Sequence, residues 1–336
     1  MLAGGRVNDM KGKKKMLTWI VGFILVFFLV NMVASLYFYN LAIARNVKDF
    51  LKDNSDLKVS AEAMNVFLEG DWRHWRDQQP FENWELTSFD GLTLQGYYLK
   101  AKQPTNQIVI LAHGYLGRGS DMALYGQHYY ENLGFDIFYA DARGHGKSEG
   151  DYIGFGWHDR LDLVAWINKI IEEKGDDVDI VLHGLSMGAA TVLMTSGEDL
   201  PNNVKAIIAD SPYTNVQDLF AYQMKRMYHL PSFPVLNTTS LVTKLKAGYS
   251  FTEASALEQV KKATVPILYI HGEADTFVPT ELSMLLYEET HSEADLLLIP
   301  NAGHGEGFVI EKEMYLDTLH HFLKKYLTIK ELLPVT

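Results

Sequence analysis

Most apolar residues in this chain fall into short blocks that alternate between two spacings. The first block differs from the rest. Residues 16–38 read MLTWIVGFILVFFLVNMVASLYF and carry no charge. At about 1.5 Å of rise per residue, this run can cross a hydrocarbon core of about 30 Å. Trp19 lies near one end, and Tyr37 and Tyr39 near the other, where amphipathic rings favour the interface. The pattern predicts a transmembrane anchor over residues 16–38. A cleavable signal peptide is the competing reading, because Ala42-Ile43-Ala44 resembles a small-residue cleavage site. The apolar run exceeds the roughly 7–15 residues of a signal h-region, which favours the anchor.

Residues 39–80 form a charged juxtamembrane segment. Within it Val59, Ala63, Val66 and Phe67 recur at helical spacing, which predicts a short amphipathic helix. Trp72, Trp75 and Trp84 add aromatic surface, for packing on the body or for a second contact with lipid headgroups.

From Glu85 the spacing changes. ELTSF, Asp90-Gly91 and LTLQGYYL read as a β-hairpin with a tight turn. Strand-like blocks follow at residues 107–112, 136–140, 178–182, 204–209, 266–270 and 296–299. Helical spacing is expected at 122–133, 160–173 and 189–195. This alternation predicts an α/β fold: a mostly parallel central sheet with helices on both faces and antiparallel strands at one edge. The strand blocks are nearly continuous apolar runs, as burial on both faces requires. Residues 212–255 interrupt the alternation and are rich in Tyr, Phe and Met, which predicts a short helical cap. The expected organisation is a basic N-terminus at 1–15, the anchor at 16–38, the juxtamembrane segment at 39–80 and one domain at 81–330.

Charge sharpens this picture. The net charge of the 336 residues is −12. Residues 1–38 hold Arg6, Lys11, Lys13, Lys14 and Lys15 against Asp9, a local excess of +4 that leaves −16 on the rest. Lysines before the apolar run predict a cytoplasmic N-terminus, so the body is expected outside the cytoplasm at the cell membrane. An acidic body argues against nucleic acid as a partner. The chain has no cysteine, which excludes a thiol nucleophile and thiolate metal ligands. No metal-ligand spacing such as H-E-x-x-H appears.

The sharpest chemical signal is Gly184-Leu185-Ser186-Met187-Gly188, placed between a strand block and a helical block. In a strand–G-x-S-x-G–helix unit the serine occupies a strained turn that lifts its hydroxyl above the sheet. Bulky neighbours would clash there, and the following helix presents its N-terminus to developing negative charge. A serine hydroxyl needs a base within hydrogen-bond reach, and the base needs an orienting group. Two loops after later strands supply them in the order acid, then histidine: His271-Gly272-Glu273-Ala274-Asp275 and Ala302-Gly303-His304. Asp275 is assigned as the acid and His304 as the base. Asp210, after another strand, is the competing acid. His271 reads as a strand-end structural residue, and His183 as packing. Two backbone N–H donors should hold an oxyanion: Met187, after the nucleophile, and Tyr115, in the loop His113-Gly114-Tyr115-Leu116-Gly117. His113 is expected to brace that loop. Asp141 and Arg143 read as structural ions in a tight turn.

Together HGYLG, DARGHGKSEG, GLSMG, ADSPY, HGEADTFVP and NAGHG resemble the α/β-hydrolase superfamily over residues 80–328. Within it the chain is most similar to bacterial membrane-anchored hydrolases grouped with the serine aminopeptidase S33-like and BEM46-like proteins. The resemblance implies Ser186, Asp275 and His304 as a triad, Tyr115 and Met187 as oxyanion donors, and no cofactor. One departure is the sequence Gly305-Glu306-Gly307, which sets a carboxylate beside the base.

The expected function is cleavage of carboxylic esters through an acyl-enzyme, on a small-molecule, lipid-derived or peptide-derived acyl substrate. An amidase or peptidase with the same triad and a non-catalytic binding protein on a hydrolase fold are the alternatives. Tyr, Phe and Met of the cap either line an apolar acyl pocket or only cover the sheet.

Overall fold

A computed structural model describes residues 3–46 and 60–328 of the chain. Residues 47–59, with Val59, and the last expected domain positions, 329 and 330, lie outside the described residues.

Eight strands form one sheet: β1 (Glu82–Thr87), β2 (Thr93–Leu99), β3 (Gln107–Ala112), β4 (Asp136–Ala140), β5 (Asp179–Leu185), β6 (Val204–Asp210), β7 (Ile267–Gly272) and β8 (Ala294–Ile299). Their order is β1-β2-β4-β3-β5-β6-β7-β8. The hairpin pairs antiparallel, β2 pairs antiparallel with β4, and the strands from β4 to β8 run parallel. The hairpin turns at Asp90-Gly91, where Gly91 has φ +89°, a conformation that strains any side chain.

Alternate residues of the inner strands face opposite sides of the sheet. Ile108, Ile110, Phe138, Ile180 and Leu182 pack toward one core, with helices Asp159–Lys174 and Met187–Thr195 and with the cap. Val109, Leu111, Ile137 and Val181 pack toward the other, with Tyr125, Tyr129 and helix Lys312–Tyr326. β7 is buried throughout, whereas the edge strand β8 is mostly half-buried. The α/β-hydrolase arrangement expected from the sequence is therefore present.

Three elements differ from expectation. β5 runs three residues past Leu182, so the strand itself carries the chain to the serine turn. The helix expected at 122–133 is instead a 3-10 turn (Gly119–Met122), a short α-helix (Ala123–His128) and a wide turn (Tyr129–Leu133). Gly134, at φ +71°, ends it in the left-handed conformation common after helices. The N-terminal helix spans Ala3–Phe38 and continues as a wide turn, Tyr39–Ile43. The basic segment is thus helical too, and the helical path does not stop at residue 38.

That helix is long and apolar enough to cross a membrane, by length and composition. Its large apolar side chains from Met16 to Val30 are exposed. Its last turns stay exposed on one face, at Met32, Val33, Leu36 and Tyr37, and are buried on the other. Asn31, Ser35, Tyr39 and Ile43, each four residues apart, are buried against the body. The Ser35 hydroxyl donates to the Val235 carbonyl at 3.3 Å. Beyond the helix, Ala44 bridges Tyr152, and the Arg45 guanidinium donates to the carbonyls of Ser148 (2.7 Å) and Gly146 (2.8 Å).

Residues 212–255 hold two helices, Val216–Tyr228 and Val235–Ala247. Asn215 caps the first by accepting from the Asp218 N–H at 2.7 Å. The second packs beside the N-terminal helix. Before the sheet, Ser60 caps helix Ala61–Glu69 by accepting from the Ala63 N–H at 3.1 Å.

Arg143 ties three parts of the body together. Its buried guanidinium donates twice to Asp162, both at 2.7 Å, and to Asp90 and the Tyr152 hydroxyl, each at 2.9 Å. Burial pushes the Asp162 carboxyl up to about 6, even though the guanidinium opposes the shift. Removing one member of a buried pair costs about 3–5 kcal/mol. Arg143→Ala is expected at the lower end of that range, because Asp162 can take up a proton. The check is the thermal unfolding midpoint of the full chain in detergent, followed by circular dichroism. An unchanged midpoint would show that the three parts hold together without the guanidinium.

Candidate active site

β5, β6, β7 and β8 end at one rim of the sheet, and the loops after them meet there. At the end of β5, Ser186 has φ +55° and ψ −113°. A Cβ built on Gly184 would lie 2.2 Å from the Gly188 carbonyl oxygen, and one on Gly188 would lie 2.0 Å from that of Ala112. Only glycine fits at both positions. The tight turn aims the Ser186 hydroxyl at the loop after β8, where it donates to His304 Nε2 at 2.8 Å.

His304 Nδ1–H donates to Asp275 Oδ2 at 2.7 Å. Asp275, in the loop after β7, is fully engaged. Its Oδ1 accepts from the N–H groups of Phe277 and Val278, both at 2.8 Å. Its Oδ2 also accepts from His271 Nε2 at 3.0 Å. Burial pushes the Asp275 carboxyl up, but the charge and hydrogen bonds of His304 and His271 outweigh it, so the net shift is strongly down. Burial pushes the His304 imidazole down, but the charge and hydrogen bond of Asp275 prevail, and its pKa is raised. The three residues read as nucleophile, base and acid are therefore joined by two hydrogen bonds across turns far apart in sequence.

Asp210 is bonded elsewhere. Its Oδ2 accepts from the hydroxyls of Tyr315 (3.1 Å) and Tyr125 (3.3 Å), and its Oδ1 from Ser211 (2.9 Å). Its backbone carbonyl accepts from the Ser186 N–H at 2.8 Å, so it supports the turn from below. His183 lies in the same buried layer, between the hydroxyls of Tyr129 and Tyr315, and burial lowers it to about 3.

The loop after β3 passes close to the serine. A Cβ on Gly114 would lie 3.5 Å from that of Ser186, so the Gly114–Tyr115 backbone runs beside the serine. His113 braces it: Nδ1–H donates to the Gly114 carbonyl at 2.8 Å, and Nε2 accepts from the Ala142 N–H at 3.0 Å. Burial lowers the His113 pKa, which keeps the ring neutral and able to do both. Met187 opens the helix on the other side. The turn at 141–148 is structural, with Asp141 accepting from the N–H groups of Lys147 (2.8 Å) and Gly119 (2.9 Å).

Sequence reasoning missed several contributors. His271 is more than a strand-end residue, because it touches the same carboxylate as His304. Ser283 fixes it by donating to Nδ1 at 2.6 Å. A histidine four residues before the acid, at the end of a strand, was the available signal. Glu306 makes no hydrogen bond to His304 among the described residues. It accepts from the N–H groups of Gly303 (2.8 Å) and Ser60 (2.5 Å), and so fastens the juxtamembrane helix to the histidine loop. Phe277 packs on the His304 ring, with centroids 5.1 Å apart.

Ser186 lies between two chambers. One is an apolar cleft between the cap, Tyr115, Phe155, Phe277 and the end of the N-terminal helix. The other is lined by Arg73, Asp121 and His304 along with apolar residues such as Phe67, Leu68 and Trp72. This arrangement can activate a hydroxyl beside an apolar substrate group and leave room for a polar group on the far side.

The sequence profile of the serine aminopeptidase S33 family matches residues 103–242, a stretch that includes Ser186 and ends before Asp275. An uncharacterized Bacillus subtilis protein, YqkD, is 29% identical over 250 residues, 73% of this chain and 81% of that protein. The lysophosphatidylserine lipase ABHD12 of Danio rerio is 29% identical over 196 residues, 57% of this chain and 49% of that protein. Among solved structures, the Pyrococcus furiosus esterase Pf2001 superposes with a TM-score of 0.59 at 24% identity, over 74% of this chain and 94% of that one. With the strand order and the serine turn described above, these likenesses make the chain a member of the α/β-hydrolase superfamily.

Proposed function

We propose that this hydrolase is a membrane-anchored serine hydrolase that cleaves carboxylic esters through an acyl-enzyme. The observation that carries the reading is the unbroken contact from Asp275 through His304 to the Ser186 hydroxyl. Ser186 Oγ attacks the ester carbonyl carbon, and its proton passes to His304 Nε2. The backbone N–H groups of Met187 and Tyr115 stabilise the oxyanion. As the tetrahedral intermediate collapses, the leaving alkoxide takes the proton from His304. Water then attacks the acyl-serine, with His304 accepting its proton and returning it to Ser186. Asp275 holds the ring in the productive tautomer and favours the imidazolium.

The apolar cleft beside the serine supports an ester with an apolar acyl group, and one relative is named a lipase of a lysophospholipid. The S33 match supports a second reading, an aminopeptidase or amidase with the same residues. Turnover of chromogenic aminoacyl amides, without turnover of esters, would select it.

The docked helix end supports a retained anchor. Cleavage after Ala44 would pull buried Tyr39 and Ile43 from the body. Burying one such large side chain stabilises by about 1.5–3 kcal/mol. The lysine-rich segment before the apolar run supports a body outside the cytoplasm.

A membrane-impermeant fluorophosphonate is expected to label the chain on intact cells and to leave Ser186→Ala unlabelled. With purified protein and p-nitrophenyl butyrate, Ser186→Ala should lower kcat by about 10⁴-fold or more. Equal rates for the two proteins would remove Ser186 from the mechanism.

The rate should also depend on pH in a defined sense. His304 acts as base only when neutral, and its pKa is raised. The proton is therefore held to a higher pH than on an ordinary imidazole of pKa about 6.5. A plot of log kcat/KM against pH is expected to fall on the acid side with a midpoint above about 6.5. A midpoint well below that value would mean that the Asp275 charge does not govern the base.

A further inference from the structure

We propose that the N-terminal helix forms one wall of the acyl cleft, so that an ester with one long apolar chain reaches Ser186 from the bilayer along that helix. The inference rests on Ser186 being the nucleophile, and it adds the class of substrate and its route.

The argument starts at the helix end. Phe38, Leu41 and Ala42 line the same cleft as Ser186 and Met187. Across the cleft stand Leu219, Met224 and Leu236 of the cap. The Phe38 ring meets the Tyr228 ring edge-on at 5.3 Å and closes one side. The Ala42 carbonyl accepts from the Tyr115 hydroxyl at 2.8 Å. One bond thus joins the helix end to the residue whose N–H is proposed to hold the oxyanion. Without the helix the cleft would lack a wall, and the Tyr115 hydroxyl would lose its partner.

The surface beside the cleft points to lipid. The helix that supplies Phe38 exposes apolar side chains continuously from Met16 to Val30, and Leu36 and Tyr37 are exposed just before the cleft. The cap helix packed against it exposes Leu241 and Leu245, one turn apart, and Phe233 is exposed just ahead of that helix. An exposed apolar surface continuous with a span long enough to cross a membrane has the bilayer as its natural partner. Lys246 lies with its ammonium 5.1 Å from the Tyr39 ring, a pairing suited to the headgroup level.

The other chamber carries Arg73, Asp121 and His304 among apolar side chains such as Phe67, Leu68 and Trp72, so it holds partners for a polar group on the leaving side. The ester is therefore one with a long apolar acyl chain in the cleft and a polar group on the far side.

The test uses the full chain in phosphatidylcholine vesicles, with p-nitrophenyl esters of four-, twelve- and sixteen-carbon acids as probes. Each methylene held in the cleft is worth about fourfold in kcat/KM, the equivalent of about 0.8 kcal/mol. Leu41→Trp should displace two or three methylenes and lower the twelve-to-four-carbon ratio of kcat/KM at least about tenfold. Leu41→Ala, a milder change that keeps the fold, should raise the sixteen-to-twelve-carbon ratio. Trp19→Ala, on the outward face of the same helix, should change neither ratio. The twelve-carbon ester should turn over faster from the enzyme's own vesicles than from separate ones. Ratios unmoved by both Leu41 variants, in protein that fluorophosphonate still labels, would overturn the wall. Equal rates from the two vesicle populations would overturn the route. Failure of the wild-type chain to label would remove the acyl-enzyme and this inference with it.

Discussion

The turn at Ser186 sets the geometry of everything around it. Its backbone conformation, φ +55° and ψ −113°, costs of order 1–3 kcal/mol for a residue with a side chain. The cost is offset by placement. β5 lies between β3 and β6 near the middle of the sheet, and the helix that follows is buried along its whole length. The Ser186 N–H is bonded to the carbonyl of Asp210 on the neighbouring strand. Because position 188 has no side chain, the start of that helix lies in backbone contact with Ala112 at the end of β3. The same close approach brings the Gly114–Tyr115 backbone beside Ser186. One strained residue and two glycines thus fix both the hydroxyl and the loop opposite it.

Electrostatics completes what the turn begins. Burial opposes both the Asp275 charge and a charged His304. Asp275 stays ionised because two backbone N–H groups and two imidazoles donate to it. That retained charge then raises the pKa of His304. Ser283 fixes His271, so the carboxylate is held from two sides and has no free direction in which to turn.

Sequence made the serine turn and its partners legible because each depends on local pattern or chain order. A strand block, G-x-S-x-G and a helical block specify the turn. An acid loop and a histidine loop after later strands specify the rest. The contact of His271 with Asp275 was not legible, because it exists only once the loop folds back over the strand end. Glu306 misled for a related reason: it lies two positions from His304 in sequence, but its partners are Gly303 and a residue 246 positions away, Ser60. The broken helix at 119–133 escaped because periodicity does not distinguish one α-helix from a series of differently wound turns.

The end of the N-terminal helix was the hardest part to read, although its signal is present. An apolar run suited to lipid looks the same whether its last turns meet lipid or protein. Asn31 and Ser35 break the run four residues apart, and Tyr39 and Ile43 continue the stripe. A polar pair at helical spacing near one end of a span needs partners that hydrocarbon does not supply. Here the Ser35 hydroxyl finds the Val235 carbonyl at the start of the second cap helix. That contact places the cap against the helix, and the next turn, Tyr39–Ile43, carries the chain to Tyr115 and Tyr152. The apolar run and the body are therefore parts of one packed unit, and Phe38, Leu41 and Ala42, beside that stripe, line the cleft next to Ser186.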